Sequence, residues 1–423
     1  MNRKILVVSR NFWPEDVRIT NLCEDLVRQG FRVDVLCGQP SDSSGEFVRG
    51  YNSYKIRRES HEKLDIYRTV DVKRSGGSNL RIFLYYISFP LTASFLVKKL
   101  SGKNYEAVLI CQYSPVMSAG PGLAIAKKLG IPAYIYIADL WPEKVFDVID
   151  VQSSVFKKFL FKLSDSYYKK SDFLIVPTEQ IKKQLTQRLF MENSRIYVVP
   201  RSAQDEFCCE IRDDNLLEKM AGSFNIVIFS QPQTKLDVDS LVKAALLTRD
   251  SVRSIRFIVI GSDERVKMLE DRVNRNGLRD SFYFEGNVKK EDTGKYIHLA
   301  DVMLLSVVPG ETEEKDVPQM FINYLASARP VIASCEGAVK EILKEAKCGI
   351  SAAPSDGDNL YSCFLKIYQL SKREREEMGR NAKIYQLKHF DCGTNAALTG
   401  DILNGIQIDK TSDDSGIKKI SEM

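Results

Sequence analysis

Two carboxylates, one lysine and one helix start are the features of this 423-residue sequence whose residue types and positions suit chemistry. Asp139 closes the apolar run Tyr134-Ile135-Tyr136-Ile137-Ala138, where a carboxylate is costly unless it is hydrogen-bonded or functional. Glu143 follows one turn later in Asp139-Leu140-Trp141-Pro142-Glu143. Asp139 has two readings here, a base that takes a hydroxyl proton or a cap for the segment that follows. Further along, Lys235 comes after the apolar Asn225–Phe229 run and the loop Ser230-Gln231-Pro232-Gln233-Thr234. A cation there can meet a phosphate or stand in solvent. Residues Val317-Pro318-Gln319-Met320-Phe321-Ile322-Asn323 begin a helical pattern with Pro318 in the first turn, and the free N–H groups of such a start favour an anion. A proton acceptor in one half and an anion cradle in the other are what transfer from a diphosphate to a hydroxyl demands. The only histidines are His61, His298 and His389, so an imidazole metal site is not expected.

The elements that must position these groups are short apolar runs alternating with amphipathic stretches, the pattern of parallel strands buried between helices. Strands are expected near 4–10, 32–38, 107–111, 133–138, 173–177 and 196–200, and a second series near 225–229, 256–261, 282–285, 302–306, 330–334 and 349–352. Between the series, residues 201–223 are polar. The sequence therefore predicts an α/β protein of two Rossmann-like, doubly wound domains facing across a cleft, with ligands beyond the carboxyl ends of the strands. Residues 1–203 form the first domain on this reading and 204–385 the second. A helix over 386–410 returns to the first domain, and 411–423 is a polar tail.

Composition narrows the surroundings. Hydrophobic residues make up 44% and charged residues 28%, the balance of a chain that buries a core rather than of a disordered one. The nine cysteines have no metal-ligand spacing and fit a reducing compartment, with the adjacent Cys208-Cys209 given no role. Only four apolar residues follow the first charges, too few for a secretory signal. Residues 1–200 hold 30 Lys and Arg against 20 Asp and Glu, a net +10, whereas the remainder holds 31 against 36, a net −5. The basic front half suits an anionic surface. Within it, residues 82–97 are an apolar, aromatic stretch bounded by Arg81 and Lys98-Lys99, too short to span a bilayer and broken by Pro90. It reads either as a helix in the headgroup region or as a buried helix against the sheet. Phe156 through Lys162 and Tyr167 through Lys170 repeat the basic, aromatic theme. No zinc-finger spacing or RNA-binding motif supports a nucleic-acid partner.

Two blocks are distinctive: Phe12-Trp13-Pro14-Glu15 with Arg18 and Asn21, and Ala138-Asp139-Leu140-Trp141-Pro142-Glu143. They resemble the bacterial family-4 glycosyltransferases of the colanic-acid, O-antigen and N-acetylfucosamine type, and Phe284-Glu285-Gly286, Ala300-Asp301 and Pro318 through Ala333 resemble that family's donor domain. The resemblance runs to about Phe390. It implies a GT-B fold and a retaining, metal-independent transfer from a UDP- or GDP-sugar to a polyprenyl-diphosphate-linked saccharide, peripheral on the inner face of the cytoplasmic membrane. On this basis Asp139 or Glu143 handles the acceptor proton. Trp13, Glu15, Arg18 and Trp141 face the acceptor, and Ser230, Lys235, Glu285, Pro318, Gln319 and Asn323 face the donor. No cofactor is expected beyond the nucleotide sugar.

Several positions depart from the family pattern. Ser230-Gln231-Pro232-Gln233 replaces a glycine-rich loop, Lys315 and Asn323 stand where relatives carry two glutamates, and Ala138 stands where many have His. Glu311, Glu313, Glu314 and Asp316 lie close to the altered pair. Such losses also fit a catalytically degenerate protein that binds a saccharide or partners a transferase. A nucleotide-sugar epimerase fits less well, since it would have no use for the basic, aromatic segments.

Overall fold

The computed structural model describes residues 3–15, 18–42, 45–52, 56–73, 79–113, 115–138, 140–143, 146, 153–230, 235–308 and 317–405, without the side chains of Arg18 and residues 79–83. Asp139, the loop 231–234, the acidic run 309–316 and the tail lie outside the described residues. The chain divides into two compact units, one made of residues 1–200 and 393–423 and the other of residues 201–392.

The first unit is an eight-stranded sheet of β1 (Lys4–Ser9), β2 (Arg32–Cys37), β3 (Arg57–His61), β4 (Leu64–Arg68), β5 (Ala107–Gln112), β6 (Ala133–Ile137), β7 (Phe173–Val176) and β8 (Ile196–Val198). Its order is β3-β4-β2-β1-β5-β6-β7-β8, parallel except for the β3–β4 pair. Central strands such as β5, AVLICQ, are buried at every residue because helices cover both faces, which is why they read as unbroken apolar runs. The hairpin β3–β4 was not anticipated: β3, RRESH, is a polar edge strand with no apolar alternation.

On one face lie the helix Arg18–Arg28 and the closing helix Cys392–Leu403. Arg3 Nη1 donates to the Leu403 carbonyl at 2.6 Å and Asn395 Nδ2 to the Pro200 carbonyl at 2.9 Å. The returning helix thus begins after the break at Phe390, later than position 386. The other face is covered by the helices Asn79–Ser94, Gly120–Leu129, Ser154–Tyr168 and Glu179–Leu189. The buried-helix reading of residues 82–97 is seen in Phe89, Ala93 and Leu96, which enter the core, while Leu84, Leu91 and Phe95 are exposed. Among the described residues no helix is long and apolar enough to cross a membrane.

The second unit is a six-stranded, wholly parallel sheet of β9 (Phe224–Phe229), β10 (Ile255–Ile260), β11 (Phe282–Gly286), β12 (Val302–Ser306), β13 (Val331–Ser334) and β14 (Gly349–Ala352). The order β11-β10-β9-β12-β13-β14 is that of a Rossmann sheet, with the reversal between β9 and β12. All six strands lie where the second apolar series puts them.

Candidate active site

In the first unit the strand order reverses between β1 and β5, so their carboxyl ends mark the place for a ligand. Arg10 directly follows β1 and is almost fully buried. Its Nη2 donates to Asp71 Oδ1 at 2.8 Å, its guanidinium lies 3.5 Å from the Tyr85 ring centre, and Ser88 Oγ donates to the same Asp71 oxygen at 2.6 Å. Burial pushes the Asp71 carboxyl above its usual range, and Arg10 pulls it back. Gly38 is required beside them, because a Cβ there would sit 2.4 Å from Asp71 Oδ2.

The Trp13-Pro14-Glu15 block is fastened from several sides. Glu15 accepts from Asn11 Nδ2 and from the Ser41 backbone N–H, each at 2.5 Å, and burial raises its carboxyl. The fully buried Arg68 donates to the Trp13 carbonyl and to Glu59, and the Trp13 indole stacks on His61 with centroids 4.2 Å apart. Glu15 therefore uses its carboxylate to join the loops after β1 and β2.

The second block begins beside β5, where the Ala138 N–H donates to the Gln112 carbonyl at 3.0 Å. Trp141, only 5% exposed, packs in the core rather than presenting a surface to an acceptor. The Tyr168 hydroxyl donates to Gln112 Oε1 at 3.0 Å and lies 3.4 Å from both the backbone N and O of Trp141. One turn on, Glu143 Oε1 accepts from Arg188 Nη1 at 2.5 Å and from Gln184 Nε2 at 3.0 Å. Burial raises the Glu143 carboxyl and the Arg188 charge opposes it. Gln112, Gln184 and Arg188 carry no linear motif, and sequence reasoning did not reach them; Tyr168 was noted only within a basic, aromatic stretch. Arg18 starts its helix, and Asp139 lies outside the described residues.

In the second unit, Lys235 stands beside the β9–β12 reversal. Its carbonyl accepts from the Val308 N–H at 2.9 Å, the next residue Leu236 bridges Val307, and its side chain is exposed. Ser230, just past β9, donates through Oγ to Asp263 at 2.7 Å.

The helix starts of this unit differ sharply. Those at Val238, Glu264 and Gly357 are capped by the side chains of Asp237, Asp263 and Asp356, which fill the donor sites with a carboxylate. The helices Gln319–Ala326 and Ala338–Ala346, which follow β12 and β13, have no side-chain cap. Their preceding residues, Pro318 and Gly337, have no side chain able to cap, and Gly337 takes φ +70°. A helix start carries a partial positive charge, which these N-cap residues do not offset with a side chain.

Three other residues expected to face the donor make hydrogen bonds within the second unit. Asn323 is 0% exposed, its Nδ2 donating to Gln204 Oε1 at 2.5 Å and its Oδ1 accepting from the Gln204 N–H at 3.0 Å, so it fastens the helix to the 201–204 segment and does not meet a sugar. Gln319 Nε2 donates to the Ser202 carbonyl at 2.9 Å and to Asn323 Oδ1. Glu285 lies on the outer strand β11, where it accepts from the Tyr283 hydroxyl at 2.5 Å, away from the reversal.

The family model described as Glycosyltransferase Family 4 matches residues 16–206, and that described as Glycosyl transferases group 1 matches residues 224–369. The alpha-monoglucosyldiacylglycerol synthase of Acholeplasma laidlawii is 22% identical over 242 residues, covering 54% of this chain and 59% of that protein. The match thus spans little more than half the length of this relative. Among solved structures, sucrose-phosphate synthase from Thermosynechococcus elongatus shares the fold with a TM-score of 0.68 at 14% identity, over 96% of this chain and 99% of that one. Anabaena HepE in complex with UDP gives 0.65 at 11% identity over 95% and 100%. WaaG, a glycosyltransferase of lipopolysaccharide biosynthesis, gives 0.63 at 14% identity over 95% and 100%. With a glycosyltransferase family matched in each half and both halves folded as Rossmann-like units, the chain is a glycosyltransferase of the GT-B type.

Proposed function

We propose that the protein transfers a sugar from a UDP- or GDP-sugar to a polyprenyl-diphosphate-linked saccharide, with retention and without a metal, in the assembly of a surface polysaccharide. The observation that carries the donor half is the exposed Lys235 beside the β9–β12 reversal, with the helix Ala338–Ala346, which has no side-chain cap, following the next strand β13. Backbone N–H groups and a lysine can hold a diphosphate without any particular side chain in the loop. The HepE structure contains UDP, which fits this reading. Glu143 takes the acceptor proton from its place in the first unit, with Asp139 the other candidate.

The lipid-linked acceptor is supported by the surface of the first unit. Leu84 and Leu91 are exposed on the helix Asn79–Ser94 and Phe95 just past its end, Phe95 being 79% exposed and followed by Lys98 and Lys99. On the helix Ser154–Tyr168, Val155, Phe156 and Phe159 are exposed among Lys157, Lys158 and Lys162. Both helices pack against the same short turn, Val116–Ala119. Aromatic rings beside lysines are favoured in the headgroup layer of an anionic membrane, and the inner face of the cytoplasmic membrane is such a surface.

The test is incubation with a panel of UDP- and GDP-sugars and lipid-linked saccharides, following product by mass. Transfer from one donor supports the reading, and stabilisation by UDP or GDP without transfer from any donor defeats it. A second reading, a saccharide-binding protein without activity, is favoured by one observation: the amides of Asn323 and Gln319 are spent inside the unit. It predicts no rise in thermal stability with either nucleotide at millimolar concentration.

A further inference from the structure

We propose that Lys158 and Lys162, with Lys169 two turns further on, hold the diphosphate of a prenyl-diphosphate-linked acceptor in a groove along the helix Ser154–Tyr168. The identity of the ligand rests on the reading of the acceptor as lipid-linked, and its place comes from this helix. The groove has a volume of about 470 Å³ and is lined by Lys158, Phe161, Lys162, Asp165, Ser166 and Lys169. Leu160, Ser164 and Tyr168 are the buried residues of the helix, one strip turned to the core. At about 100° per residue, Lys158, Lys162 and Lys169 fall within about 40° of one another on a second strip, and all three are exposed. The exposed Val155, Phe156 and Phe159 lie on a third.

The acid in the groove is already engaged. Asp165 pairs with Arg188 behind it, Oδ1 to Nε at 3.0 Å, so it does not offset the lysines. Among the described residues none of the three lysines makes an ion pair, whereas Lys73 and Lys103 of the same unit are paired with Glu46 and Asp34. Three uncompensated cations beside one another favour a ligand with more than one negative charge. Lys158 and Lys162, one turn or about 6 Å apart along the axis, can each meet one phosphoryl group of a diphosphate. The single charge of a membrane phosphodiester leaves most of this field unmatched.

The neighbouring strip suits the rest of such a ligand. Phe156 and Phe159 are stacked with centroids 6.4 Å apart and exposed, an apolar surface for a prenyl chain beside the cations. On its inner side the groove backs onto the block that holds Glu143. Phe161 lies 5.3 Å from the Arg188 guanidinium, and Arg188 donates to Glu143.

The test titrates the full chain with farnesyl diphosphate, a soluble prenyl diphosphate, by isothermal calorimetry. UDP is kept in excess so that a diphosphate site in the second unit is filled. K158Q/K162Q is compared with K127Q/K128Q, which removes the same charge from another exposed pair, at the end of the helix Gly120–Leu129. The first variant is expected to weaken binding about tenfold or more and the second by less than about twofold. Farnesyl monophosphate is expected to bind wild type about tenfold more weakly than the diphosphate. Vesicles of phosphatidylcholine and phosphatidylglycerol separate the two sources of phosphate. Adding a prenyl diphosphate lipid to them is expected to tighten wild-type binding and to leave K158Q/K162Q unmoved. Vesicle binding that follows phosphatidylglycerol alone, no saturable binding of farnesyl diphosphate, or losses that are equal in the two double variants overturns the proposal. Transfer is scored separately. A wild type that transfers sugar to a lipid-linked saccharide but leaves farnesyl diphosphate unbound keeps its function and loses this site. Farnesyl diphosphate bound through Lys158 and Lys162 without any transfer keeps the site and loses the function.

Discussion

The carboxyl edges of the two sheets are built by opposite means. In the first unit the edge is a network of side chains: Arg10 with Asp71 and Ser88, Glu15 with Asn11 and Ser41, and Glu143 with Arg188. In the second unit it is largely backbone: two uncapped helix starts, one exposed lysine, and amides such as Asn323 that have turned inward. On the proposed function, the difference follows from the two tasks. A proton acceptor must be one oxygen in one place, so it needs partners on several elements. A diphosphate can be held by N–H groups that every residue except proline supplies. This accounts for a donor half that keeps its frame while several of the expected contact residues are exchanged.

The comparison can be broken most directly at Glu143. E143Q is expected to lower the rate of transfer by about 100- to 10,000-fold, while the shift in melting temperature caused by UDP or GDP stays as in wild type. A large loss of nucleotide binding in E143Q would show that the two edges do not divide the work in this way.

Next in size is the buried Arg10–Asp71 pair. R10M leaves the Asp71 carboxylate without its partner, and denaturant unfolding is expected to show a loss of about 3–5 kcal/mol in the transition of the first unit. A change below about 1 kcal/mol would mean that this edge is not held by its ion pair.

The backbone side is sharpened by adding a carboxylate at a helix start whose N-cap residue is a proline. P318D places a carboxylate where Asp237 and Asp263 sit on the neighbouring helices, and nucleotide affinity is expected to fall about 10-fold or more by isothermal titration. K235A is expected to weaken it by a similar or smaller factor. Unchanged affinity in both variants would remove the diphosphate from this edge.

The smallest effect concerns acid. Burial holds the folded-state value of Glu15 above its ordinary 4.5, so the folded chain binds that proton more tightly than the unfolded one. The contribution of this group is present in full below 4.5 and is lost as pH rises through the raised value. The stability of wild type relative to E15Q is therefore expected to grow as pH falls through that window, measured by urea unfolding at several pH values. A difference independent of pH would place the Glu15 carboxyl in a less buried setting.

The sequence by itself determined the strand series, the helix starts and the polar break between the halves, because these depend on short-range properties: the run of apolar residues, a cap residue, a proline. It also placed Glu143, Lys235 and Pro318 at strand ends and helix starts. It did not supply their partners. Glu143 meets Arg188 across 45 residues, Arg10 meets Asp71 across 61, and Asn323 meets Gln204 across 119. The polar hairpin β3–β4 was invisible for a related reason, since an edge strand needs a neighbour more than an apolar pattern. Which side chains close on one another is set by crossover connections that bring distant loops to one sheet edge, and no local pattern encodes that. Tertiary structure alone thus turned Glu15, Trp141 and Asn323 inward and left Glu143 Oε2 without a donor.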